Sequence, residues 1–168
     1  MLNFRLLEAE EIEVRVAQVK ENGASLLLYK DARVDQNILD ETVGSMNWMR
    51  RHTRDNANCI VSIWDENKMM WVDKEDTGVE SNTEKEKGLA SDSFKRACFN
   101  WGIGRELYTS PFIWIPADKM NIIPFNGKFR TFDTFSVEKI AYDKNHRISG
   151  LAIWNNKTDK RVFVWQRT

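Results

Sequence analysis

Apolar positions follow a helical spacing in one long stretch of the chain and a strand-like spacing over most of the remainder. Within 81–108, Ala90, Phe94, Ala97 and Trp101 recur at intervals of four, three and four, and Leu89 and Cys98 widen the same stripe. One face of a helix is therefore built for burial. Ser81, Asn82 and Thr83 offer capping oxygens, and Glu84 and Glu86 each stand three residues after one of them, a capping-box start. Gly102 supplies the left-handed position that commonly ends a helix, and Gly104 frees the turn beyond it. Lys95 and Arg96 fall toward the helix C-terminus, where the macrodipole favours cations.

Upstream, 6–20 has Glu8, Glu10, Glu11 and Glu13 near its start and Ile12, Val16 and Val19 at helical spacing, which predicts a first amphipathic helix. Asn22-Gly23 marks a turn, 24–30 reads as a short strand, and 33–43 as a second helix with Val34, Ile38 and Leu39 inward and Gly44 as C-cap. As a strand, 47–54 places Trp48, Arg50 and His52 on one face and Met49, Arg51 and Thr53 on the other. Segments 58–64 and 68–73, joined by Asp65-Glu66-Asn67, form a hairpin, and 74–80 is a charged loop. The apolar 112–115 lies between Pro111 and Pro116, which suits an edge segment. A turn-rich connector over 117–127 then leads to strands at 129–134, 137–142, 148–154 and 161–165.

A length of 168 residues suits one sizeable domain with an extension. Cys59 and Cys98 lie in apolar segments without CxxC spacing, so buried reduced thiols are expected. No apolar run approaches the ~20 residues of a membrane span and the acidic start is unlike a signal peptide, so a cytoplasmic protein is expected. Net charge is zero, but 93–168 carry 13 basic and 6 acidic side chains where 63–92 carry 4 and 9. A local basic groove is compatible with that distribution.

No GxxxxGK[ST], GxSxG or HExxH is present, and the glycines of Gly102-Ile103-Gly104 follow a helix where a phosphate loop precedes one. Neither a cofactor nor an enzymatic activity is expected. The acidic group Asp65, Asp73, Glu75 and Asp76 is most simply a solvated loop, with Mg²⁺-dependent nuclease chemistry as the alternative. What remains is a set of cations, Lys30, Arg33, Arg50, Arg51, Lys95, Arg96 and Arg105, with Trp48, Trp101 and Tyr108 interspersed. Cations that follow phosphates and aromatics that stack bases are the ingredients of a single-strand groove. Taken alone, each Trp is more often core, and the Lys95-Arg96 pair is most often a solvated helix edge.

The succession of short helix ending at Gly44, Trp48, hairpin, Gly78, the helix with Lys95-Arg96, and the closing WGIGRELY (101–108) resembles the Rad fifty-two family of single-strand annealing proteins, closest to its phage Sak-type members. The resemblance covers about 7–115. It implies a β-β-β-α core, side-by-side assembly into rings or helical filaments, and ATP-independent annealing of single-stranded DNA held in a basic groove. Arg33 matches the family's groove arginine, and Lys95 and Arg96 its basic helix pair. Two positions depart from the pattern, Ser45 where many members have an aromatic and Phe99 in place of a further cation. Arg50, Arg51 or Arg105 are the candidates to compensate, with Lys30 and Trp48 completing the expected contact set.

The expectation is thus an α+β fold, with an annealing core over 1–116 and a β-rich extension over 117–168. Single-stranded DNA and further copies of the chain are the expected partners. Besides the nuclease, the remaining alternative is an interaction module whose C-terminal β edges bind a partner such as a single-strand binding protein.

Overall fold

The computed structural model describes residues 2–79 and 85–168, and of 85–87 the backbone alone. The fold is α+β, with antiparallel sheets and one helix packed on a sheet. The chain divides into two compact units, Met1–Leu6 with Asp31–Arg105, and Leu7–Lys30 with Glu106–Thr168. This differs from the division 1–116 and 117–168. The N-terminal hairpin belongs with the C-terminal strands because it pairs with them in one sheet.

In the first unit, α1 (Ala32–Val43) starts at Asp31, whose carboxylate accepts the Arg33 N–H at 2.7 Å, and ends at Gly44 with φ of 84°. It buries Ile38 and Leu39. Strands β3 (Trp48–Thr53), β4 (Asn58–Asp65) and β5 (Met70–Thr77) form a three-stranded antiparallel sheet in that order. The helix α2 (Lys85–Trp101) covers one face. The expected cap at Ser81, Asn82 and Thr83, with Glu84, lies outside the described residues. Cross-strand partners on the helix-facing side are Trp48 with Ile63, Arg50 with Val61 and His52 with Cys59, and then Val72, Lys74 and Asp76 on β5. Strand β5 runs to Thr77 rather than giving way to a loop at 74. Its alternating charges each find a place, with Lys74 and Asp76 turned to α2 and Asp73 and Glu75 to the opposite face. Leu89, Phe94, Ala97 and Cys98 form the buried stripe of α2 against Cys59, Val61 and Ile63. Both cysteines are free and buried, and burial pushes the Cys59 thiol up to about 11.

The second unit is a six-stranded sheet in the order β11-β10-β9-β1-β2-β6, every neighbour antiparallel. Its strands are β1 (Ile12–Lys20), β2 (Gly23–Lys30), β6 (Ile113–Pro116), β9 (Phe135–Tyr142), β10 (Ile148–Asn155) and β11 (Lys160–Gln166). A separate hairpin pairs β7 (Ile123–Phe125), inside the expected connector at 117–127, with β8 (Lys128–Arg130), which ends four residues before the end of the strand expected at 129–134. Asn126-Gly127, at φ of 48° and 72°, makes its turn. Strand β6 sits at the sheet edge, as its flanking prolines suggest.

The expected helix over 6–20 is instead a single 3₁₀ turn, Ala9–Glu11, followed by β1. The register of β1 against β2 shifts between Val16 and Gln18, leaving Ala17 as a bulge. Val16 opposes Leu26 and Val19 opposes Ala24, so both point to the buried face although three positions apart. A bulge thus converts a period of two into the spacing 12, 16, 19 that imitates a helix. Val14, skipped by the helical reading, fits the strand period.

The same parity explains Lys30. Ala24, Leu26, Leu28 and Lys30 share one face of β2, and Lys30 is 2% exposed. Its charge acts on buried Glu106, whose carboxylate accepts the Leu7 N–H at 2.7 Å. Burial raises the Glu106 carboxyl above its ordinary value, against the opposing pull of its backbone hydrogen bonds and of Lys30. Lys30→Met is expected to cost about 3–5 kcal/mol by removing the cation beside this buried carboxylate. The variant should regain stability as pH falls, because folded Glu106 then holds a proton that the unfolded chain releases more readily. The double variant with Glu106→Gln should recover most of the loss. Urea unfolding across pH 5–8 reads both outcomes.

Candidate nucleic-acid interface

Phe94 anchors the site. It is fully buried, Trp48 stacks on it with ring centroids 6.1 Å apart at 27°, and the Arg50 guanidinium lies 4.7 Å above its ring. The alternation along β3 therefore turns Trp48 and Arg50 to the helix, while Arg51 stands on the opposite, exposed face with Met49 and Thr53. The Trp48 indole N–H donates to Asp40 of α1 at 2.6 Å, which ties β3 to α1. Trp48 is accordingly half-buried packing, with its ring occupied by Phe94.

Lys95 follows Phe94 on α2. Its positive charge acts on Asp31 at the start of α1, and Arg33 pairs with the same carboxylate at 3.0 Å. The Arg33 hydrogen bonds first, and the Arg33 and Lys95 charges after them, hold the Asp31 carboxyl below its ordinary value. The Arg33 side chain is 84% exposed. Arg33 and Lys95 thus share Asp31 at the start of α1, while Arg50 lies over Phe94, the residue before Lys95 on α2. Arg96 pairs with Asp92 one turn earlier at 2.9 Å, and Asp92 also accepts the Val79 N–H at 2.8 Å. The Arg33–Asp31 pair is exposed, and pairs of this kind are worth about 0–1 kcal/mol.

Three expected contacts fall elsewhere. Lys30 is buried in the second unit and has no access to a phosphate. Arg105 donates from Nε and Nη2 to the Phe99 carbonyl at 2.9 and 2.5 Å and to Asn100 at 3.2 Å, closing the C-terminus of α2. Arg51 is on the far face of the sheet. Lys95 and Arg96 are not in the last turn of α2, where no basic residue occurs. The cations that meet the helix C-terminus are Arg105 and Lys74, whose ammonium donates to the Asn100 carbonyl at 2.8 Å and lies 4.7 Å above the Trp101 ring. Lys74 lies in β5 and not in the expected charged loop, and the strand period is the signal that turns it to the helix. Trp101 donates its indole N–H to the Val61 carbonyl at 3.0 Å and serves as a helix-to-sheet anchor.

The acidic residues of 65–76 do not converge. Asp65 accepts the Asn67 and Lys68 N–H groups of its own turn, Asp73 accepts the Ser62 hydroxyl, and Glu75 pairs with Asn58. Among the described residues no group of three His, Cys, Asp or Glu side chains is arranged to hold a metal ion, and no helix is long and apolar enough to cross a membrane.

The first unit is therefore a helix-on-sheet module with a cationic junction at α1, β3 and α2. No family model, curated protein or solved structure matches the chain.

Gly78 sets how closely α2 approaches the end of β5. A Cβ there would lie 2.6 Å from the Ser93 backbone nitrogen. Gly78→Ala is expected to destabilise the first unit by about 1–3 kcal/mol, because only backbone can move aside. Arg105→Ala should cost about 1 kcal/mol through the lost cap and leave the salt dependence of ligand binding unchanged. Denaturant titration and binding at several salt concentrations distinguish a structural Arg105 from a contacting one.

Proposed function

We propose that the chain binds single-stranded DNA and anneals complementary strands without ATP, as a homo-oligomer in the cytoplasm of a phage-infected bacterium. The observation that supports this reading is that Arg33 and Lys95 act on one carboxylate, Asp31, with Arg50 over the adjoining Phe94. These cations sit on a helix terminus, a strand and a helix. Phosphate contacts fix a strand without reading its sequence, which is what annealing requires. About three contacts per protomer bind weakly, and a row of protomers binds through effective concentration. Among the described residues β3 and β5 each keep one edge without a strand partner, a route to side-by-side assembly. The open edge of β11 is the surface that would serve a partner protein.

Fluorescence anisotropy with an oligo-dT probe tests the assignment. The triple variant Arg33→Ala, Arg50→Ala, Lys95→Ala should bind at least tenfold more weakly and flatten the slope of log K on log salt by about 2, from three lost phosphates at about 0.7 each. Light scattering should give large particles for the wild type, and annealing of complementary oligonucleotides should outpace the protein-free rate. A monomer that leaves that rate unchanged would refute the proposal.

A further inference from the structure

The β7–β8 ribbon carries chemistry that the junction of α1, β3 and α2 does not use. Its register pairs Ile123 with Arg130 and Phe125 with Lys128, so these four side chains share one face, while Pro124 and Phe129 share the other. Phe132 continues the first face two residues beyond Arg130. Ile123, Phe125 and Phe132 are 38%, 46% and 67% exposed. The Arg130 guanidinium is held between two of them, 3.7 Å from the Phe125 centroid and 4.5 Å from that of Phe132. Its Nε is buried without a hydrogen-bond partner, and no carboxylate among the described residues pairs with it. Residues 119–132 contain Lys119, Lys128 and Arg130 and no Asp or Glu.

The base of the ribbon is fixed. Asp133, buried, accepts the Asn121 N–H at 2.8 Å and the Asn155 amide at 2.9 Å, and the Thr131 hydroxyl donates to the Asn121 carbonyl at 2.6 Å. The exposed rings therefore stand on a pinned two-stranded support instead of a free loop.

We infer that this face of the β7–β8 ribbon is a second contact for single-stranded nucleic acid, with Phe125 and Phe132 stacking bases and Arg130 and Lys128 meeting phosphates. The inference rests on the reading that the chain handles single-stranded DNA. An unpaired strand offers flat rings and anions together, and the ribbon offers exposed rings and cations with no competing carboxylate. A second copy docking through the same face is disfavoured, because it brings the Lys128 and Arg130 of both copies into one interface with no carboxylate from the ribbon between them.

The test is photocrosslinking of the full chain to an oligonucleotide carrying iodouracil, with adducts mapped by mass spectrometry, beside anisotropy of two variants. Adducts on the peptide containing Phe125 to Phe132 are expected. Phe125→Ala with Phe132→Ala should weaken binding of oligo-dT about tenfold or more, and leave an abasic strand of equal length unaffected. Arg130→Ala should flatten the salt slope by about 0.7. Circular dichroism of the double Phe variant should match the wild type, since the replaced rings are exposed. Adducts confined to 31–105 overturn the inference and leave the annealing proposal standing. Adducts on the ribbon with binding insensitive to Arg33, Arg50 and Lys95 sink the junction instead. Wild-type protein that binds no single-stranded DNA overturns both. Loss of self-association in the double Phe variant, with DNA binding intact, reassigns the ribbon to contacts between copies and overturns the inference.

Discussion

The burial of Phe94 is the constraint on which the first unit depends. Its ring is fully enclosed, and Trp48, Arg50 and the neighbouring stripe of α2 are placed by reference to it. Burying a large aromatic contributes about 1.5–3 kcal/mol, more than any single exposed ion pair in the unit. Apolar packing therefore fixes the rotation of α2 about its axis. The cations follow, with Lys95 one residue round the helix toward α1 and Arg96 facing outward to Asp92. A site assembled this way draws its rigidity from the core and uses its charges only at the rim.

Polar groups secure the ends of that packing. Lys74 and Arg105 meet the last carbonyls of α2, and Asp92 receives the chain entering from Val79. None of these residues is free to serve as a mobile ligand arm. In the second unit the buried Lys30 and Glu106 play the comparable part. Both lie where the chain passes from one unit to the other, at the last residue of β2 and the first after Arg105.

Much of the site was legible because helices and simple strands keep their period. The stripe of α2, the capping of α1 at Gly44 and the facing of Trp48, Arg50 and His52 all follow from spacings of 3.6 and 2. The errors have particular causes. Ala17 inserts one residue into β1 and so disguises a strand as a helix, and no local signal marks a bulge formed by pairing with β2. Lys30 and Arg105 were grouped with the contact cations on residue type, yet parity along β2 buries one and the C-terminus of α2 engages the other. The β7–β8 ribbon was hidden in an apparent connector, although Asn126-Gly127 is a recognisable hairpin signal.

The sequence by itself determined which segments are amphipathic and which faces they bury, since these properties depend on neighbours within a few residues. It also determined the strand-rich character of the last third and the buried state of both cysteines. Only the tertiary structure decided which strands share a sheet, joining β1 and β2 to β6 and β9 across more than eighty intervening residues. It likewise decided that Arg33 and Lys95, more than sixty residues apart in the chain, act on the same carboxylate. Pairing and convergence are long-range properties, set by the total area that can be buried and by hydrogen-bond partners distant in the chain, and no short stretch of residues encodes them alone.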